Sequence, residues 1–167
     1  GSEIIQLYGS NAQKGLILPQ LVSAEAIIAT AITEPDAGSD VAAASTAAVK
    51  EGNHWVINGS KMFITNGSLA KYVIAYVLTN PDHPSRHNRH SFILVPTDTH
   101  GYEANKLRGK LGIRASDTAE LSFSDMRVPI SNLIGKEGDG FHQLMAFFNR
   151  TRLHVCAQGV GVARAAL

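Results

Sequence analysis

Two short stretches carry side chains whose types and spacing could do chemistry. Thr33-Glu34-Pro35-Asp36-Ala37-Gly38-Ser39-Asp40 crowds turn formers directly behind an apolar run. Pro35 holds Glu34 out of helical backbone, and Gly38 permits a sharp turn with exposed amides beside the Ser39 hydroxyl. Such a loop can surround a phosphate with donors, and it can equally be an ordinary loop rich in turn residues. The second stretch is Met62-Phe63-Ile64-Thr65. Read as a strand, it points Phe63 and Thr65 to one side and Met62 and Ile64 to the other. An aromatic ring beside a hydroxyl could stack on a planar cofactor and hydrogen-bond its edge; a core Phe with a strand-end Thr is the simpler alternative. No Gly-x-Gly-x-x-Gly precedes a helix, so neither stretch is a dinucleotide fingerprint.

Other chemically capable groups are more scattered. The segment from His83 to His90 is locally basic, with Arg86 and Arg89 able to meet phosphates and His83, His87 and His90 conceivable as metal ligands. A solvated loop accounts for the same residues. Arg114 and Asp117 form a charge pair between strands, and Trp55 reads as a core or wall residue.

The elements that must position these groups follow from periodicity. Residues 26–128 read as strands: Ala26–Ile32, His54–Ile57 and Ser60–Thr65 around an Asn58-Gly59 hairpin signal, then Tyr72–Leu78, Ser91–Val95 and Glu120–Phe123. Asn66-Gly67 marks a further turn, and the polar stretch between Asn80 and His90 projects as a connection. Upstream, Ser10 or Asn11 caps a short helix through Leu18 that Pro19 interrupts or restarts. Downstream, Phe141, Met145, Phe148, Arg152, Val155, Gly159, Val162 and Ala166 alternate at spacings of four and three, one face of a helix about 40 Å long. Asp139 stands at its N-cap position. The reading is a mainly β chain: an antiparallel, barrel-like middle domain (26–134) flanked by helical fragments (1–25 and 135–167), including one long C-terminal helix.

Composition narrows the class. Fifteen Lys and Arg against 14 Asp and Glu give a net charge of +1, too balanced for a nucleic-acid binder that works through bulk charge. Hydrophobic residues at 44% argue against disorder. No apolar run reaches the roughly 20 residues of a membrane helix. With Cys156 the single cysteine, an intrachain disulfide and a multi-thiolate metal site are both excluded. No signal peptide is visible at Gly1-Ser2-Glu3, and Val162–Leu167 still reads as helix, which suggests a piece of something longer.

Three blocks in order, Thr33–Asp40, Asn58–Gly67 and Leu111–Thr118 before Arg127-Val128-Pro129, closely resemble the acyl-CoA dehydrogenase family. The resemblance runs from about Gly9 to Leu167. It implies an FAD enzyme that desaturates acyl-CoA thioesters between the α and β carbons. It also implies a homotetramer in the longer protein, an electron-transfer flavoprotein or similar acceptor, and a bacterial cytoplasm or mitochondrial matrix. On this reading the chain holds the end of an N-terminal helical domain, the middle domain and the opening of a C-terminal helical domain.

Carried over by position, Thr33 meets the pyrimidine edge of the isoalloxazine, with Thr30 and Ile32 along the same strand. Gly38 and Ser39 meet the pyrophosphate, and Ser39 also lies near the thioester ligand. Phe63 packs on the ring beside Ile64, and Thr65 donates toward N5. Relatives often have Trp at Phe63 and Gly at Asp36. Arg152 matches an arginine near the substrate. The family's base is a Glu in the C-terminal domain or, in a subset, at the position of Thr151; a threonine cannot serve as a carboxylate base, and Glu137 matches neither place, so no base is named. The same architecture also serves acyl-CoA oxidases and flavin monooxygenases, and a non-catalytic β module is the alternative from another class.

Overall fold

The computed structural model describes residues 2–167. Three helices, α1 (Ser2–Tyr8), α2 (Asn11–Val22) and α3 (Gly140–Ala166), accompany eight strands. The strands are β1 (Ile28–Ala31), β2 (Ala47–Glu51), β3 (His54–Thr65), β4 (Tyr72–Leu78), β5 (His90–Pro96), β6 (Tyr102–Lys106), β7 (Thr118–Pro129) and β8 (Leu133–Ile134). Helix and strand content are about equal, so the chain is not mainly β.

The strands form one mixed sheet in the order β6-β7-β3-β2-β4-β5-β8, with β1 paired to β4. The expected antiparallel barrel is corrected on two counts. First, β1 and β2 both pair in parallel with β4. Second, β6 and β8 are edges that do not pair with each other, so the sheet stays open. The parallel pairs follow from the route of the chain: residues 32–46 leave the sheet after β1 and return as β2 beside the same strand. That excursion carries the Thr33–Asp40 loop.

The core lies on both faces. Along β4, Val73, Ala75 and Val77 join one cluster with Trp55, Ile57, Leu121 and Val95. Tyr72, Ile74 and Tyr76 point the other way, into a second cluster with Ile4, Ile5, Ile17 and Leu144 of the helices. Burial on both faces is why this strand reads as an unbroken apolar run. Trp55, 1% exposed, is a core residue as expected.

Asn58-Gly59 is not a hairpin. β3 continues through it with a register shift against β7, where Asn58 faces Ser124 and Asp125 and its side chain pairs with Asp125 (Nδ2 to Oδ1 3.0 Å, and Oδ1 from the Asp125 amide 2.8 Å). Gly59, at φ 141°, lies so close to Thr46 that an added Cβ would come within 2.7 Å of its hydroxyl. The hairpin turn sits instead at Gly52-Asn53, between β2 and β3. Asn66 (φ 62°) does turn the chain after β3.

In α2, Ser10 and Gln13 form a reciprocal capping box, and Pro19 lies inside the helix without ending it. α3 starts after Asp139, which makes no side-chain cap. Its buried residues are Gly140, Gln143 and Leu144; of the alternating stripe, Met145 and Phe148 pack against the second cluster and Phe141 stacks on His87, while the members from Arg152 onward meet nothing outside the helix itself. Beyond Thr151 every residue of the helix is exposed.

Candidate functional site

Where the excursion after β1 meets the end of β3, the surface opens into a cavity of about 570 Å³. Thr30, Ile32, Thr33, Gly38, Ser39, Phe63, Ile64 and Thr65 all line it. The chain thus brings together the whole set that the sequence singled out for a cofactor. Ile28, Ala29, Val41 and Asn66 complete the sheet and loop side, and Phe147 and Phe148 of α3 close the other.

Local chemistry explains each placement. Glu34 and Ala37 exchange both backbone hydrogen bonds (3.0 and 3.2 Å), closing a tight loop around Pro35-Asp36. Gly38 follows it with no protein atom within 4 Å of an added Cβ. Its bareness therefore answers to no packing inside this chain; it keeps a backbone edge open toward the cavity. Between Lys61↔Leu121 and Ile64↔Ala119, Met62 and Phe63 together oppose Glu120 alone, a β-bulge. The freed Met62 amide donates to the Thr33 carbonyl at 2.8 Å, which ties the bulge to the loop.

Phe63 takes the left-handed conformation (φ 60°), a strained setting for a bulky side chain, and the residue is 67% exposed. Thr65 is exposed beside it while Ile64 is buried. The expected pairing of Phe63 with Thr65 on one side thus holds, through a bulge and not a regular strand. Ile64 meets the cavity mainly as part of the core. On the sheet side, the Thr30 hydroxyl is buried without a hydrogen-bond partner.

Beneath the loop lies an ion pair that sequence reasoning missed. Glu34 and Lys61 are both buried, with Lys61 Nζ 2.8 Å from Oε1 of Glu34. Burial alone would push the Glu34 carboxyl up. The Lys61 ammonium and hydrogen bonds from Ser45 and Thr46 outweigh that and bring it down to about 2. Burial also lowers Lys61 against the pull of Glu34. No local pattern marked the pair, since burial along β3 does not alternate (Trp55, Val56 and Ile57 are buried in succession) and the glutamate lies inside a turn motif.

Several expected groups lie elsewhere. Arg152 stands apart from the cavity: it is exposed and its Nε donates to the Phe148 carbonyl (3.0 Å). Thr151 bonds the Phe147 carbonyl (3.2 Å). Glu137 pairs with Lys50. Among the described residues no carboxylate lines the cavity, so the lining offers donors and an aromatic face but no carboxylate base. Asp117 does not pair with Arg114; it accepts from Ser68 (Oγ 2.7 Å, amide 3.1 Å) and Lys106, and Arg114 bonds the Lys110 carbonyl. In the polar connection Arg86 pairs with Asp40 at 2.7 Å and Arg89 holds the His83 carbonyl. His90 is buried against the Ala44 carbonyl, away from the other histidines. Among the described residues no group of three or more metal-ligating side chains forms, and no helix is long and apolar enough to cross a membrane.

An open mixed sheet with a cavity of hydroxyls, an exposed ring and a bare glycine, flanked by a long helix, defines a class. The family model described as acyl-CoA dehydrogenase, middle domain, matches residues 29–126. The chain belongs to the acyl-CoA dehydrogenase family. An acyl-CoA dehydrogenase of Bacillus subtilis (strain 168) is 44% identical over 167 residues, all of this chain and 44% of its own length. The acyl-CoA dehydrogenase from Geobacillus kaustophilus superposes with a TM-score of 0.89 at 43% identity, over 91% of this chain and 40% of that one. Butyryl-CoA dehydrogenase from Megasphaera elsdenii superposes with a TM-score of 0.92 at 36% identity, over 99% of this chain and 43% of that one. The chain spans less than half the length of these relatives.

Proposed function

We propose that this chain is the flavin-positioning part of an FAD-dependent acyl-CoA dehydrogenase that introduces an α,β double bond into an acyl thioester. The observation that carries this reading is the convergence of Thr30, Thr33, Gly38, Ser39, Phe63 and Thr65 on one cavity. The residues present suit a flavin. The exposed Phe63 ring offers a flat face, and the Thr30 hydroxyl is a buried polar group lacking a partner. The room beside Gly38 lets a phosphate approach the backbone. When bound, FAD supplies the hydride acceptor.

The chain's own residues bind and orient. Thr33 and Thr65 would donate to the polar edge of the ring, Phe63 would pack on its face, and Gly38 with Ser39 would donate to the pyrophosphate. Donors fixed before the reaction stabilise charge that develops on the ring without reorganisation. Phe147 and Phe148 exclude water from the α3 side. The α-proton base belongs to a part of the enzyme outside this cavity. Acyl-CoA is the substrate, an electron-transfer flavoprotein or similar acceptor reoxidises the flavin, and the assembled enzyme is a homotetramer. Residues 1–25, 26–134 and 135–167 are the ends and middle of three successive domains.

A form of the protein as long as its relatives should purify yellow and lose its flavin absorbance when an acyl-CoA is added anaerobically. A colourless protein, or one whose flavin no thioester bleaches, contradicts the reading and favours a non-catalytic module. Rapid reoxidation by air separates the oxidase and monooxygenase variants from the dehydrogenase.

A further inference from the structure

The cavity's shape is set from underneath. Lys61 is fully buried, one residue before the bulge. Its ammonium donates to Oε1 of Glu34 (2.8 Å), to the Ile32 carbonyl (3.1 Å) and to the Tyr76 carbonyl on β4. Three donors meet three acceptors, the full capacity of the group. Glu34 accepts further from the Ser45 amide (2.7 Å), the Ser45 hydroxyl (2.9 Å) and the Thr46 amide (2.9 Å), where the excursion returns to the sheet. Thr33 is therefore clamped on both sides: Lys61 grips Ile32 before it and Glu34 after it. The same lysine leads into Met62, whose amide holds Thr33, and into the strained Phe63.

We propose that the buried Lys61–Glu34 pair is the positioning device of the flavin site, fixing the distance between the Thr33 edge and the Phe63 face. This deepens the flavin reading and rests on it. Neither side chain lines the cavity, so the pair acts through Thr33 and Phe63 and not on the ligand. Stability alone does not account for it, because apolar side chains of similar volume often replace a buried ion pair at no cost or with a gain. Apolar packing, however, has no direction. The pair directs bonds to backbone groups at Ile32, Ser45, Thr46 and Tyr76, which ties the loop to the sheet. Catalytic constellations need their groups held to within about 0.5 Å.

The test uses the double variant Lys61→Met/Glu34→Gln in a form of the protein as long as its relatives. The exchange removes both charges together, so no lone buried charge remains, and it keeps the volume. The measurements are the melting temperature of the apoprotein, the FAD dissociation constant by titration, and the visible circular dichroism of the bound flavin. A positioning role predicts a melting temperature within a few degrees of wild type, an FAD dissociation constant raised roughly tenfold, and an altered flavin dichroism. A folded double variant with wild-type affinity and dichroism overturns the inference and leaves the flavin reading standing. Wild-type apoprotein that binds no FAD overturns both. Should the double variant fail to fold, Ser45→Ala decides: it removes one hydroxyl bond to Glu34 (2.9 Å), leaves both charges paired, and raises the dissociation constant about threefold. Ser45→Ala with unchanged affinity and dichroism overturns the inference.

Discussion

The sheet side of the cavity and the helix that closes its other side are held by different kinds of contact. On the sheet side, Thr33 and Phe63 sit above a fully satisfied buried ion pair and a strand core closed on both faces. α3 is anchored only through its first turns. Gly140 packs against the His90 carbonyl and Ser91, Gln143 reaches the Ile134 carbonyl (3.2 Å), and Arg150 meets Glu3 (3.2 Å). After that the helix projects free, with Leu153, Val155, Val160 and Val162 all more than 60% exposed. The loop-and-bulge wall of the cavity is fixed by contacts within this chain. The part that covers it is specified only at its root.

The largest expected effect tests the sheet side. Lys61→Ala strands the Glu34 carboxylate in the interior and should cost about 3–5 kcal/mol in urea unfolding; a loss below about 1 kcal/mol would mean the pair is not buried as described. Next is Thr65→Val, which keeps shape and removes an exposed donor. It should slow flavin reduction by acyl-CoA about tenfold, while stability stays within about 0.5 kcal/mol. An unchanged rate rejects a donor role for that hydroxyl.

Phe63→Gly should separate stability from binding. Glycine accepts φ 60° without strain, so unfolding free energy should hold or rise by up to about 1 kcal/mol while FAD affinity falls. A stability loss would show that the exposed ring packs on the protein. The pH dependence follows from Glu34, held down to about 2 from the ordinary 4.5. A depressed carboxylate contributes stability that is complete above about 4.5 and drains away as pH falls toward 2. The stability advantage of wild type over Glu34→Gln should therefore shrink across that window in acid denaturation curves. The smallest effect belongs to the free end of α3: Val160→Ser in the 167-residue chain should shift stability by less than about 0.5 kcal/mol.

How far the sequence could be read follows the same division. β4, β5 and the span of α3 were visible because their patterns are local: an apolar run, a flanking turn, a helical repeat. The candidate site was legible as two motifs, and the fold joins them in one cavity. What escaped was non-local. The short strands β2 and β6 carry charged and small residues, and only pairing makes them strands. Asn58-Gly59 has the composition of a turn, but Asp125, far along the chain, holds it in the ladder. Barrel closure could not be judged, since it depends on where β6 and β8 end up. Lys61 was invisible as a core residue because a buried lysine is recognisable only once its three acceptors are assembled around it. The helical stripe misled in another way. Its period is right and its first half packs through Met145 and Phe148, but the close approach at the helix start belongs to Gly140, where an added Cβ would come within 2.8 Å of the Ser91 backbone, and the second half meets no other element of this chain.

The most direct test of the account is a crystal structure of the FAD-loaded protein at the length of its relatives. The isoalloxazine is predicted to lie in the cavity with Phe63 against its face and the hydroxyls of Thr33 and Thr65 on its edge. A flavin bound elsewhere, with those three side chains facing solvent, would contradict it.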